Sequence, residues 1–430
     1  EVKISISGIR GVYGKDFFAK DVIKFCDGFS SLIKTGQCVI ARDTRPSGVM
    51  IYDIVSATLL ERGIDVYNLG MAPTPVAFKE AKKIGAGIII TSSHNPLEWN
   101  GLKFILNGRG ITENELTVVK NERNLNKVKI GKEADIESNY VSDAIDIIGK
   151  MDQIQDVTLD IGGGAAKEIA TKLLNGIGCK VTTINDEIMG CSRGPDPTSD
   201  KLTELIKKTK NIGFAFDLDS DRVILVMNDG KKSGDITLGL GVVKAIKLGI
   251  KKFVLSLDSS LAVEKYIINH GGKVWRSKVG EANVIQMMID NDAEAGGEGS
   301  SGGFILKKFN MCRDGLLTSG LIASMINEKS IQKDIQFFES FSQIREKISI
   351  ESTLHEKVMK NMIEKLGKKY EINQLDGIKI NINENTWSLI RKSNTEDIIR
   401  ISTESNNKQL LEKIQKEMLE NVKSCHEEIK

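Results

Sequence analysis

Val39-Ile40-Ala41, then Arg42-Asp43-Thr44-Arg45-Pro46, then an amphipathic run over 49–62, is the stretch from which the rest of the chain can be read. An apolar run, a charged turn closed by proline, and a helical pattern read as strand, loop and helix. A strand over 65–69, a helix over 76–83 and a buried strand over 87–91 follow. Strand, helix, strand in succession predicts α/β units with largely parallel sheets.

The same grammar recurs downstream. A strand is expected over 157–161, with Gly162-Gly163-Gly164 opening a helix, and another over 213–216. Residues 253–257, 261–269 and 273–276 repeat strand, helix and strand. These make three similar α/β units of roughly 100 residues each, an ordinary domain size. The last stretch differs. Residues 377–382 and 387–390 read as strands, Ile399 and Ile401 alternate with Arg400 and Ser402 as in a half-buried antiparallel strand, and a charged helix over 408–422 closes the chain. The expected fold is therefore α/β: three domains with mixed sheets, at 1–135, 136–250 and 251–340, and a smaller α+β domain at 341–430. Polar joints are expected near 121–137, 248–252 and 330–340.

Composition narrows the function classes. The 430 residues carry 60 Lys and Arg against 58 Asp and Glu, a net charge of +2, which argues against a nucleic-acid partner. Six scattered cysteines with no C-x-x-C pair argue against a disulfide scaffold or a zinc site. Glu1-Val2-Lys3-Ile4-Ser5 has no secretion-signal pattern, and the apolar stretch at 236–250 is short and broken by Lys244 and Lys247. A soluble, cytoplasmic protein with no membrane partner is expected.

Four segments carry chemistry. Thr91-Ser92-Ser93-His94-Asn95-Pro96 follows the apolar Ile88-Ile89-Ile90, so its hydroxyls end a strand, where open α/β sheets place ligands; a plain polar turn fits the same residues. Asp217-Leu218-Asp219-Ser220-Asp221-Arg222 sets three carboxylates at alternate positions after another buried strand. They would repel one another without a cation, and oxygen ligands favour a hard ion such as Mg²⁺. An EF-hand fails, because its glycine and glutamate positions hold Arg222 and Asn228. An aspartyl nucleophile and a solvated acidic turn remain open. Gly296-Gly297-Glu298-Gly299-Ser300-Ser301-Gly302-Gly303 offers close backbone approach and groups suited to sugar hydroxyls, or else a flexible loop. Arg391-Lys392-Ser393-Asn394-Thr395-Glu396 forms a phosphate nest or an ordinary polar hairpin.

In this order the four segments resemble the α-D-phosphohexomutase family, the phosphoglucomutases, phosphomannomutases and phosphoglucosamine mutases. Ser7-Gly8-Ile9-Arg10-Gly11, the run 42–48, Pro73-Thr74-Pro75, Asn100-Gly101-Leu102-Lys103, Lys278-Val279-Gly280 and Arg313-Asp314-Gly315 extend the likeness over nearly the whole chain. The resemblance implies a heart-shaped molecule with a central cleft. It makes Ser93 the phosphoryl carrier, and Asp217, Asp219 and Asp221 ligands of Mg²⁺ together with the phosphate on Ser93. Glu298 and Ser300 would read sugar hydroxyls, while Arg391, Ser393, Asn394 and Thr395 grip the distal phosphate. Lys278 and Arg222 would also bind substrate. Leu218 and Ser220 stand where the family often has glycine, and Ser301-Gly302 where it often has Gly-His.

The implied reaction moves a phosphoryl group between O1 and O6 of a hexose through a 1,6-bisphosphate, which also serves as primer. Arg10, Arg222 and Lys103 add positive charge. Lys103 is the first candidate for general base, on the expectation of a lowered pKa among cations, and His94 the second. The small groups of 296–303 predict turnover of both glucose and mannose phosphates, with glucosamine phosphate as the alternative. An aspartyl phosphatase or a non-catalytic sugar-phosphate binder is the rival class. A monomer or homodimer is expected.

Overall fold

Four sheets follow one another along the chain. A computed structural model describes residues 2–121, 123, 129–393 and 396–429. In the first sheet Gln37–Arg42 stands between Asp65–Met71 and Ala86–Ile90, all parallel, and Trp99–Leu106 returns antiparallel beside Ala86–Ile90. The second sheet repeats the order, with Gln155–Asp160 between Cys179–Ile184 and Ile212–Phe216, and Val223–Met227 antiparallel. The third does so again, with Lys252–Ser256 between Lys273–Ser277 and Ala295–Glu298, and Gly303–Leu306 antiparallel. The turn from the last parallel strand into the antiparallel return therefore recurs at one topological position, over 91–98, 217–222 and 299–302. Three of the four chemical segments occupy those turns.

The strands are buried on both faces, which explains their unbroken apolar runs. Cys38 and Ile40 face a core formed with Val22, Phe25, Val55 and Leu59 of the helices Ala19–Ser30 and Gly48–Glu61. Val39 and Ala41 face the opposite way, against Val76, Phe78 and Ala81 of helix Thr74–Ile84. That second core runs on through the second and third sheets without a break. The helix Gly234–Lys247 packs on Val223–Met227 and on both strands of the third sheet's return.

The fourth sheet is antiparallel, in the order Ser342–Ser349, Ile398–Ser405, Thr386–Lys392, Ile378–Asn383, Ile372–Asn373. One face meets the helices His355–Leu366 and Lys408–Glu427 in a core of its own, with Ile390, Ile399 and Ile401 against Met362, Ile414 and Met418. Its seam with the third sheet is largely polar. Arg345 reaches Asp235, Lys379 Nζ donates to the Leu257 carbonyl, and Asp376 accepts from the Val279 N–H. Among the described residues one apolar patch there joins Leu257, Leu261, Trp387 and Leu389.

Three expectations change. Residues 330–340 are no joint but the helix Lys329–Glu339, whose Ile331, Ile335 and Phe338 recur at helical spacing on its buried side. The helix after the second unit's first strand begins at Lys167, not at the triple glycine, because Gly162 and Gly163 take φ of +60° and +70°. The glycine-rich segment is strand, 3₁₀ turn and strand, not a flexible loop. All six cysteines are free thiols, and among the described residues no helix is long and apolar enough to cross a membrane.

Candidate active site

The serine turn is held from beneath by a buried ion pair. Asp43 and Arg45 leave the strand Gln37–Arg42 with both side chains sealed from solvent, Nε to Oδ2 3.0 Å. Arg45 spreads its remaining N–H groups over the carbonyls of Ser93 (2.7 Å), Asn95 (2.9 Å), Trp99 (2.9 Å) and Pro96. Asp43 accepts from Thr91 Oγ1, and Thr91 Oγ1 accepts from the Ser93 N–H. Thus fixed, Ser93 adopts φ +51°, a left-handed conformation rare for a residue with a side chain. Strain of this kind persists where the surroundings over-determine it.

Ser93 Oγ donates to Asp217 Oδ2 at 3.0 Å, and His94 Nδ1 lies 3.4 Å from Ser93 Oγ. Asp217, Asp219 and Asp221 each bring one carboxylate oxygen within 4.8 Å of the others, all buried. Alternation puts them on one side of the turn, and Ser220 between them takes φ +62°. The loop therefore demands a left-handed residue at the position where the family often has glycine. Thr74 pins the loop from the first unit, its hydroxyl donating to Asp219 Oδ2 and its N–H to the Asp219 carbonyl.

Burial and mutual repulsion hold the Asp217 and Asp219 carboxyls above their ordinary range. Asp221 is also buried but falls below its ordinary range, because Arg313, Lys103 and Arg222 face it. Asp219 Oδ1 and Asp221 Oδ1 are sealed from solvent with no hydrogen-bond partner among the described residues. Three clustered acids with two orphaned oxygens fit a hard, oxygen-liganded divalent cation.

Arg313 binds the site together. It pairs with Asp221 (2.6 Å), Glu298 (2.9 Å) and Glu281 (3.3 Å), and Glu281 in turn holds Lys103 at 2.8 Å. Burial disfavours the Lys103 ammonium, but Glu281 and Asp221 outweigh it and raise its pKa. The lowered pKa expected of a general base is thus not found. His94 is instead brought down to about 3 by burial and by Arg222, so its imidazole is neutral.

A cavity of 560 Å³ opens beside the serine and the acids, lined by His94, Arg222, Ser300 and Arg391 from four different segments. Arg222 donates its N–H to Asp217 Oδ1 and stands 3.6 Å from Asp196. On the fourth sheet Lys347 lies directly opposite Arg400, and Arg400 opposite Arg391, all three lining the cavity. Like charges in register destabilise a sheet unless an anion neutralises them. Arg391 Nε also lies 3.0 Å from Asp376.

The other expected residues fall as follows. Arg10, on Gly8–Val12, reaches Asn95 of the serine turn at 3.5 Å. Glu298 is buried and already accepts from the Gly280 N–H and Arg313. Ser393 accepts from the Glu396 N–H through its hydroxyl. Lys278 is exposed and is not among the residues lining the cavity. Asn394 and Thr395 lie outside the described residues. Arg45, Thr74 and Arg313 enter the sequence reading only as members of the run 42–48, Pro73-Thr74-Pro75 and Arg313-Asp314-Gly315, and Arg400 only as a polar residue of an alternating strand, without a role of their own; Glu281 and Lys347 do not enter it.

Family models described as phosphoglucomutase/phosphomannomutase alpha/beta/alpha domain I, alpha/beta/alpha domain III and C-terminal domain match residues 2–127, 233–341 and 353–421. A probable phosphoglucosamine mutase of Methanosphaera stadtmanae is 34% identical over 97% of this chain and 98% of its own. One of Methanobrevibacter smithii is 31% identical over 93% of each. The chain belongs to the α-D-phosphohexomutase family. It is an enzyme of the isomerase class, an intramolecular phosphotransferase. The crystal structure of a phosphoglucomutase/phosphomannomutase family protein from Burkholderia thailandensis shares its fold, with a TM-score of 0.82 over 98% of both chains at 23% identity.

Proposed function

We propose that the enzyme interconverts glucosamine 1-phosphate and glucosamine 6-phosphate through a phosphate carried on Ser93. The observation that carries the chemistry is Ser93 Oγ, held 3.0 Å from the first of three clustered aspartates. The sugar rests on the names of the relatives, phosphoglucosamine mutases at up to 34% identity over nearly the full chain. Glucose and mannose, the first expectation from the adaptable glycine segment, become the comparison substrates.

The 6-hydroxyl oxygen attacks phosphorus on Ser93. As the new P–O6 bond forms, the bond to Ser93 Oγ breaks; O6 loses its proton and Oγ gains one. The bisphosphate turns end over end, and Ser93 Oγ, now losing a proton, attacks phosphorus on O1. O1 leaves, takes up a proton and yields the 6-phosphate. Neutral His94, 3.4 Å from Oγ, is placed to exchange the serine proton. Arg391, Lys347 and Arg400 hold whichever phosphate is not reacting, and Arg222 and Arg10 face the transferring group. Asp217, Asp219 and Asp221 would hold Mg²⁺, which neutralises charge on the phosphoryl oxygens. Phosphoryl transfer asks for little else beyond positioning.

Turnover of glucosamine, glucose and mannose 1-phosphates, each with a bisphosphate primer, tests the substrate. A kcat/KM at least about tenfold higher for glucosamine, some 1.4 kcal/mol, is expected. Equal or better use of glucose or mannose would overturn the glucosamine reading and leave the phosphoserine chemistry standing.

The metal assignment makes a separate prediction. Asp219→Asn keeps an acceptor for Thr74 and so should leave the fold intact, while lowering Mg²⁺ affinity and turnover by at least about 100-fold. Chelator should silence the wild type, and Mg²⁺ should restore it. Calorimetric titration with Mg²⁺ reads the affinity directly; unchanged affinity in the variant would remove Asp219 from the ligand set.

A further inference from the structure

We infer that Asp258 distinguishes a C2 ammonium from a C2 hydroxyl, by presenting a free carboxylate oxygen to the amino group of a glucosamine phosphate. The inference rests on the glucosamine reading above and names the residue that enforces it.

Three acidic residues line the cavity. Asp196 accepts from the Thr198 N–H and hydroxyl and faces Arg222. Glu346 accepts from Gln415 on the helix Lys408–Glu427. Asp258 differs from both. It is only 7% exposed, and no cation lies within 4 Å of its carboxylate among the described residues. Ser256 Oγ donates to Oδ1 at 2.7 Å, while Oδ2 has no hydrogen-bond partner among the described residues. The guanidinium of Arg345 is taken by Asp235 at 3.3 Å and touches Asp258 only at its main-chain carbonyl.

The residue is fixed beside the glycine segment expected to read the sugar. It lies two residues past the strand Lys252–Ser256, and its neighbour Ser259 accepts from the Gly299 N–H at 2.9 Å, tying the 258–260 loop to the turn that carries Ser300. Ser259 and Ser256 hydroxyls bond at 2.7 Å, and Ser260 caps the helix Leu261–Asn269. Gly299 is required for this approach, since a Cβ there would fall 1.7 Å from Asp235 Oδ1. Lys347, Arg391 and Arg400, proposed above to hold the distal phosphate, stand on the fourth sheet, whereas Asp258 follows a strand of the third, so the acid is offered to the ring. A nearly dry carboxylate with an open oxygen favours an ammonium over a neutral hydroxyl.

The test is the ratio of kcat/KM for glucosamine 1-phosphate to that for glucose 1-phosphate, in wild type and in Asp258→Asn. Asparagine keeps the acceptor for Ser256 and removes the charge. The glucosamine value should fall about 10- to 100-fold, the range of one hydrogen bond between charged groups, while the glucose value stays within about threefold. Activity on glucose shows that the variant is folded; should it be inactive on every sugar, Asp258→Ser is judged by the same ratio. An unchanged ratio, or a parallel loss on both sugars, overturns the role of Asp258 alone. A wild type that does not prefer glucosamine overturns the substrate reading, and this inference with it.

Discussion

Ser93→Ala should lower kcat at least about 10⁴-fold, some 5.4 kcal/mol of transition-state stabilisation, because among the described residues no other hydroxyl donates to Asp217. Ser92→Ala is the control. Ser92 is fully buried and its hydroxyl donates to Asn95, so its loss should leave most of the turnover. Mass spectrometry of the intact enzyme after exposure to bisphosphate should find one phosphoryl adduct, mapped by peptide digestion to Ser93 and missing from the alanine variant. An adduct on Asp217 would instead establish an aspartyl nucleophile.

Arg45→Met carries the largest expected effect on stability. It strands the Asp43 carboxylate, fully buried, without its cation, and leaves the carbonyls of Ser93, Asn95, Pro96 and Trp99 without that donor. Removing one partner of such a pair costs about 3–5 kcal/mol. Urea denaturation should show that loss, and turnover should fall with it as the serine turn loses its anchor. The double variant Asp43→Leu/Arg45→Met removes the stranded charge, and should be more stable than Arg45→Met alone. If the single variant unfolds at the wild-type urea concentration, the ion pair is not what holds the turn.

The strand-to-turn grammar was legible because it is local. Ile88-Ile89-Ile90 before Ser93 and the apolar run before Asp217 each announce a buried strand ending at a polar turn, and the fold puts both turns at one topological position. What escaped the reading depends on partners distant in sequence. Lys103 looked like a base among cations until the fold brought Glu281, 178 residues away, to its ammonium. Arg313 was one member of a short motif; only packing gives it Asp221, Glu281 and Glu298 at once. Glycine hid the strands at 295–298 and 303–306, since it carries little β-propensity of its own. Lys278 belongs to a motif beside the site, yet its side chain is exposed to solvent.

The seam around the fourth sheet bears on how a bisphosphate can turn over without escaping. The first three sheets share one continuous apolar interior, so parting them would wet a core. The fourth keeps its interior to itself and meets the third through Arg345, Lys379, Asp376 and a single patch at Trp387. Water can take over each of those polar contacts as the seam loosens, at a smaller cost than wetting an apolar core. The residues proposed to grip the distal phosphate are thus mounted on a part of the molecule whose hydration can change cheaply, while Ser93 and its acids sit on the part whose hydration cannot.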